Sequence, residues 1–131
     1  MKNEKINILT LGCSKNTVDS ERLINQLKAN NLEVVEDSKD ATSVIINTCG
    51  FIDAAKEESV NTILEAVELK KLGKLNKVYV AGCLSERYKE DLRKEIPEID
   101  ILFGVEDYEN IVNEFGGELK YDLLGERAVY P

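Results

Sequence analysis

Short apolar runs alternate with segments of helical periodicity along almost the whole chain, and few folds accommodate that alternation. It favours parallel strands joined by right-handed crossovers, with helices on both faces of the sheet. We therefore expect an α/β fold, a five-stranded parallel flavodoxin-like sheet with strand order 2-1-3-4-5. The runs predicted as strands are Ile6–Leu11, Leu32–Glu36, Ser43–Asn47, Lys77–Ala81 and Ile99–Phe103. The predicted helices begin near Thr17, Asp53, Leu84 and Tyr108 and end near Asn30, Leu72, Ile96 and Phe115.

The length of 131 residues is that of one domain, large enough to bury a core without disulfides or a structural metal. Helical periodicity stops at Gly116-Gly117, and the stretch that follows shows no further pattern. We therefore expect a folded domain over residues 1–117 and a tail or linker over residues 118–131.

The net charge and the histidine content make some classes of function unfavourable for this chain. The formal net charge is −8 at pH 7, and the chain contains no histidine. An acidic surface repels phosphates, which disfavours direct nucleic-acid binding by this domain. The lack of histidine removes the commonest metal ligand and acid–base group. No apolar run is long enough for the core of a signal peptide or for a membrane span, which favours the cytoplasm and no membrane partner.

All three cysteines of the chain lie where a predicted strand gives way to a helix. Cys13 follows the first strand, Cys49 the third and Cys83 the fourth, and a glycine adjoins each of them. In the predicted order these strands are immediate neighbours, about 4.8 Å apart. Open α/β sheets bind their ligands at the carboxyl ends of the strands. We therefore expect the three thiols to converge on one small ligand at this edge.

Spacing alone leaves several interpretations of these cysteines open. Cysteine is often a small buried hydrophobe, so the thiols could be structural. A structural zinc site takes four ligands, often in close pairs, and the chain has neither such pairs nor histidine. A nucleophilic thiol would lack a histidine to activate it. A 4Fe-4S cluster held by three thiolates tolerates wide spacing and leaves one iron open to an outside ligand.

Three motifs around the cysteines closely resemble those of the radical-SAM methylthiotransferases. The motifs are Leu11–Glu21, Asn47–Ser59 and Ala81–Tyr88, within a resemblance that runs from about residue 5 to residue 115. Lys15-Asn16 after the first cysteine and Gly50–Asp53 after the second are similar to the RimO branch of the family. That branch modifies an aspartate of a small-subunit ribosomal protein, whereas a sister branch modifies an adenosine in tRNA.

The resemblance implies a cofactor and its ligands. Cys13, Cys49 and Cys83 match the three positions that hold an auxiliary 4Fe-4S cluster in the family. The family holds a second 4Fe-4S cluster and S-adenosylmethionine in a radical-SAM domain with a CxxxCxxC motif, and the cysteines here are too far apart to form it. Gly125–Pro131 resembles the lead-in to that domain, and the family's C-terminal RNA-type barrel domain is absent. We therefore expect an excised N-terminal domain that is inactive alone.

The implied function is that of a sulfur carrier within a transferase. The cluster would carry the sulfur of a methylthio group that the full-length enzyme inserts at an aspartate β-carbon of a small-subunit ribosomal protein. The partners would be that ribosomal protein and the enzyme's own radical-SAM and C-terminal domains. Two rivals stay open. One is the tRNA-adenosine methylthiotransferase sister, and the other is a non-catalytic flavodoxin-like binding module whose buried cysteines take up no iron.

Polar residues flank the first two cysteines and allow two interpretations. Asn16 and Asp19 follow Cys13, while Asn47 and Thr48 precede Cys49. In one interpretation they surround the cluster, hydrogen-bonding its sulfurs or ordering the turns. In the other they are helix caps and first-turn charges, with Asp19 in the first turn of its helix.

Overall fold

A computed structural model describes residues 5–11, 14–48, 53–104 and 107–117, with side chains except at residues 14–16, 38, 53–55 and 83. Strands and helices alternate as the sequence predicts. The strands are β1 (Lys5–Thr10), β2 (Glu33–Val35), β3 (Ser43–Thr48), β4 (Lys77–Gly82) and β5 (Ile101–Leu102). The helices are α1 (Ser14–Ala29), α2 (Asp53–Lys71), α3 (Cys83–Arg87), α4 (Lys89–Glu95) and α5 (Tyr108–Glu114). A single 3-10 turn, Ser38–Asp40, precedes β3.

The five strands form one parallel sheet in the order β2-β1-β3-β4-β5, which confirms the predicted topology. The central strand β3 is buried at all six positions, as expected for a parallel strand with a helix layer on each face. Its register with both neighbours is continuous and ends in the pairs Thr10↔Asn47 and Thr48↔Gly82. The carboxyl ends of β1, β3 and β4 therefore lie side by side.

Both faces of the sheet carry a hydrophobic core, which confirms the prediction of helices on both sides. Alternate residues of β3 serve opposite faces, because successive side chains of a strand point in opposite directions. Val44 and Ile46 pack with α2, α3 and α4, whereas Ile45 packs with α1 and α5. Among the residues that the structure describes, no helix has the length and apolar character needed to cross a membrane.

The predicted and observed elements differ most in two places. The helix expected from Leu84 to Ile96 is two short helices, α3 and α4, separated at Tyr88, whose φ is −120° and ψ 33°. The break leaves the four-residue spacing intact, since the Tyr88 amide still donates to Leu84 and its carbonyl still accepts from Leu92. Periodicity therefore could not reveal it. The fifth strand is also shorter than Ile99–Phe103, because only Ile101 and Leu102 pair with β4.

The amino end of the sheet is held by main-chain and side-chain hydrogen bonds and by one ion pair. Thr42, just before β3, donates its amide to the Lys5 carbonyl (2.7 Å) and accepts at its own carbonyl from the Asn76 amide (2.8 Å). Thr42 therefore joins the starts of β1 and β4. The Asp100 carboxylate accepts from the Val78 amide (2.8 Å) and pairs with Lys70 (3.0 Å), which joins β4, β5 and the end of α2.

Candidate functional site at the carboxyl edge of the sheet

The cysteines follow three neighbouring strands. Thr48 and Gly82 are paired across β3 and β4, and the residues next in sequence are Cys49 and Cys83. On the other side of β3, Thr10 pairs with Asn47 and precedes Cys13 by three residues. Because paired positions on adjacent strands lie about 5 Å apart, the segments that carry the cysteines leave the sheet from one small area.

The three thiols themselves are not part of what the structure describes. Cys13 and Cys49 lie outside the described residues, and Cys83 is described only as the first backbone position of α3. Among the side chains that are described, no three His, Cys, Asp or Glu residues are grouped so that they could hold a metal ion. The cysteine ligand set therefore stays a prediction, supported by the strand order and register.

Among the predicted polar residues, Asn47 forms hydrogen bonds to two different segments. Its side-chain amide donates to the hydroxyl of Ser20 on α1 (3.1 Å), and its main-chain carbonyl accepts from the Leu11 amide (3.0 Å). Both partners belong to the segments on either side of Cys13. Asn47 is only 8% exposed, so these hydrogen bonds are shielded from water. The structure thus places Asn47 as a link between the Cys49 segment and the Cys13 segment.

Gly82 brings the third segment against Asn47. Its φ of 97° and ψ of −165° lie in a region that is essentially open to glycine alone. A Cβ at this position would lie 2.5 Å from the Thr48 carbonyl oxygen and 2.7 Å from Asn47 Oδ1. Gly82 therefore meets both a conformational and a steric requirement directly before Cys83.

Thr48 makes a further contact between the ends of β3 and β4. Its hydroxyl donates to the Ala81 carbonyl on β4 (2.6 Å), and the residue is fully buried. This bond joins the ends of β3 and β4 immediately below the positions where Cys49 and Cys83 follow in sequence. A second contact lies near the start of α2, where the Lys56 ammonium stands 4.8 Å from the centroid of the Tyr88 ring. It joins α2 to the break between α3 and α4.

Asp19 lies at a different position in α1 from the one predicted. Because α1 begins at Ser14, Asp19 lies beyond its first turn, and the expectation of a first-turn charge is wrong. Asp19 is 8% exposed and accepts a hydrogen bond from the Tyr108 hydroxyl on α5 (3.1 Å). It therefore joins two helices on one face of the sheet. Asn16 also lies in α1, but its side chain is outside the described part of the chain.

Sequence reasoning missed Ser20. This residue is 3% exposed, and its hydroxyl oxygen accepts from both the Thr10 hydroxyl (2.7 Å) and the Asn47 amide. The available signal was its place on α1, one turn before the buried Leu23 and so on the same inward face. A small polar residue on the apolar face of a helix indicates a buried hydrogen-bond partner.

The arrangement suits a soft, anionic cofactor better than a hard metal ion. A cysteine is the first metal-binding side chain in sequence after the ends of β1, β3 and β4, and thiolates favour iron–sulfur clusters and other soft metals. The described side chains at this junction, Thr10, Ser20, Asn47 and Thr48, are neutral hydrogen-bonding groups. The predicted cysteine ligands and the neutral side chains beside them therefore fit a three-thiolate 4Fe-4S cluster.

Comparison with known proteins gives close relatives over almost the whole chain. A protein of Christiangramia forsetii named ribosomal protein uS12 methylthiotransferase RimO is 55% identical over 127 residues, covering 97% of this chain and 28% of the relative. Proteins of the same name from Chloroherpeton thalassium and Cytophaga hutchinsonii are 55% and 50% identical over 98% and 95% of this chain, and over 30% and 29% of their own lengths. The chain thus spans less than a third of each of these relatives.

These relatives confirm the resemblance that the three cysteine motifs predict, and the chain corresponds to their N-terminal part. A family profile, described as Uncharacterized protein family UPF0004, matches residues 5–104. That match contains β1 to β5 and α1 to α4, together with all three cysteines. The chain belongs to the UPF0004 family.

Proposed function

We propose that this domain binds an auxiliary 4Fe-4S cluster through Cys13, Cys49 and Cys83 and carries the sulfur for a methylthiotransferase. The observation that carries the proposal is the register of β3 with its neighbours, Thr10↔Asn47 and Thr48↔Gly82. It starts all three cysteine segments from one edge of the sheet. When bound, the cluster would supply an open iron site for a sulfur ligand.

The chain's own residues would shape and support this site. Gly82 lets the backbone turn into Cys83 against Asn47 and Thr48, where any side chain would collide. Asn47 and Thr48 fix the distances between strand ends through neutral hydrogen bonds, so they add no negative charge beside an anionic cluster. Asn16 and Asp19 belong to the same proposal as surrounding residues on α1, with Asp19 acting through the packing of α1 on α5.

The names of the relatives favour a protein substrate. They are described as methylthiotransferases of ribosomal protein uS12, which supports the aspartate-modifying branch over the tRNA-modifying sister. We propose that this domain works with a radical-SAM domain that uses S-adenosylmethionine and a second 4Fe-4S cluster. In that enzyme the methylthio group would be inserted at an aspartate β-carbon of the small-subunit ribosomal protein in the cytoplasm.

Iron and acid-labile sulfide per chain, measured after anaerobic reconstitution, test the ligand set. We expect about four irons per wild-type chain and loss of the cluster in Cys13→Ala, Cys49→Ala and Cys83→Ala. Ser85→Ala is the matched control. It removes a fully buried hydroxyl two residues after Cys83 whose hydrogen bond to the Val80 carbonyl is long, at 3.5 Å, so it should keep wild-type iron.

Iron that stays bound in all three cysteine variants would contradict the ligand set. No iron in the wild type would instead favour the binding module with buried cysteines. The substrate is tested separately with the Chloroherpeton relative, by replacing its matching segment with this chain. Purified uS12 and tRNA are then compared by mass spectrometry. A methylthio group on tRNA and none on uS12 would overturn the substrate assignment in favour of the sister branch.

A further inference from the structure

We propose that Ser20 is a positioning residue which, with Asn47, forms a bracket that holds the three cysteine segments in fixed relation. Its role toward the cluster rests on the proposed function, whereas its role in coupling the segments does not. The Ser20–Asn47 bracket is defined by the Ser20 hydroxyl, the Asn47 side chain and the groups they contact on Thr10, Leu11 and Gly82.

The bracket closes the loop that contains Cys13. Thr10 ends β1 and Ser20 lies within α1, so their 2.7 Å hydrogen bond joins the chain before and after this cysteine. The two partners are ten positions apart in sequence, and Cys13 lies between them. A short hydroxyl–hydroxyl bond across that turn fixes where α1 starts relative to the end of β1.

The same hydroxyl extends the link to the other two cysteines. Asn47 stands two residues before Cys49 and donates to Ser20, while its Oδ1 fills the space beside Gly82 that a Cβ would occupy. One side chain thus touches α1 on one side and the residue before Cys83 on the other. Its main-chain carbonyl also holds Leu11, two residues before Cys13.

Burial makes this link specific to these side chains. Ser20 and Asn47 are 3% and 8% exposed, so water cannot replace a lost partner without opening the site. Replacing Ser20 by alanine would remove the acceptor that Thr10 and Asn47 share, and all three segments would loosen together. A serine that merely fills space would affect overall stability but would not couple these three segments.

Hydrogen exchange of the metal-free chain tests the coupling without any cluster. In Ser20→Ala we expect about tenfold faster exchange in peptides covering the ends of β1, β3 and β4. Ser43→Ala is the matched control, because it deletes an equally buried hydroxyl at the other end of β3, about 16 Å away. Equal exchange in the two variants at these three segments would overturn the coupling.

Release of iron to a chelator from the reconstituted chain tests the effect on the cluster. We expect Ser20→Ala to lose iron several times faster than Ser43→Ala of similar melting temperature, with an altered electron paramagnetic resonance spectrum of the reduced cluster. Ser20→Thr retains the hydroxyl and should restore both the rate and the spectrum. Iron release and spectra that match the Ser43→Ala control would overturn the positioning role.

The two experiments separate this inference from the proposed function. A wild-type chain that takes up no iron would contradict the proposed function, while the exchange measurement would still decide whether Ser20 couples the segments. A wild-type chain that binds iron, with Ser20→Ala unchanged in exchange and release, would contradict the bracket alone.

Discussion

The two ends of β3 are held in different ways, although each end joins the same two neighbouring strands. At the amino end Thr42 connects β1 and β4 through its main-chain amide and carbonyl and bonds Lys5 through its hydroxyl as well, and the charged Lys70–Asp100 pair connects β5. At the carboxyl end Asn47 and Thr48 make the connections through neutral side-chain groups and one main-chain bond. The two ends therefore differ chiefly in charge, because only the amino end uses an ion pair among these contacts.

Because of this difference, we expect substitutions at the two ends of β3 to affect different properties of the molecule. At the amino end a partly exposed ion pair attaches the sheet to α2. The carboxyl end uses neutral groups and a glycine, which leave the strand ends close together and uncharged beneath the cysteine segments. Substitutions at the amino end should therefore change stability alone. Those at the carboxyl end should change stability and the cysteine site together.

The largest expected effect is that of Gly82→Ala at the carboxyl end. The new Cβ would collide with Thr48 and Asn47 at a backbone conformation that alanine avoids, which should cost about 3 to 5 kcal/mol. Gly73→Ala is the control, since Gly73 also has positive φ, 82°, but nothing lies within 4 Å of its Cβ position. It should cost only about 1 kcal/mol. Urea unfolding of the metal-free chain measures both, and equal losses would contradict the steric role.

Asp100→Ala probes the amino end and should come next. It leaves the Val78 amide without its side-chain acceptor and Lys70 without its ion pair, at a cost of about 2 kcal/mol. Asp100→Asn retains an acceptor for Val78 and should lose about half as much. Iron uptake by the folded fraction should stay at the wild-type level in both variants. A lower iron uptake would show that the amino end of the sheet also affects the cysteine site.

A smaller effect is expected for Tyr108→Phe, which removes the hydrogen bond to Asp19. The bond is buried between α1 and α5, so its loss should cost about 1 to 2 kcal/mol. Tyr79→Phe removes a comparable bond to Glu114, whose side chain is exposed, and should cost about 0.5 kcal/mol. Urea unfolding compares the two variants directly. The reverse order would show that the Asp19 contact contributes little to holding α1.

The smallest effect should be that of Lys71→Ala. Lys71 pairs with Glu98 at 3.6 Å, with side chains 55% and 37% exposed, so the pair should contribute about 0.3 kcal/mol or less. Raising the salt concentration should remove even that difference between variant and wild type, because screening acts on exposed charges. A loss close to that of Asp100→Ala would mean that charge, rather than the buried contacts of Asp100, holds the amino end.

Most of the fold could be predicted because its signals are local. The buried runs around Ile8, Ile45 and Val80 identify strands, and their alternation with helices requires a parallel sheet. The break at Tyr88 could not be predicted, since it preserves the buried spacing of Leu84 and Leu92. The short β5 was also hidden, because apolar residues beyond the paired positions still pack into the cores.

The candidate site could be predicted in part. The position of Cys49 and Cys83 after paired strand ends follows from topology, which the alternating pattern reveals. The contacts of Ser20 and Tyr108 could not be predicted, because each partner lies on an element distant in sequence. The first-turn position expected for Asp19 was wrong because α1 begins at Ser14, earlier than the sequence pattern predicts.

The brevity of the outer strands has a consequence for how the chain behaves among copies of itself. β2 has three residues and β5 only two, so each side of the sheet presents few main-chain groups along which another strand could pair. Short outer strands are one of the ways in which natural sheets avoid adding strands from neighbouring molecules. The longer and more deeply buried strands β3 and β4 lie inside, where both neighbours are already in place. The sheet thus ends on both sides in strands that offer little template for aggregation.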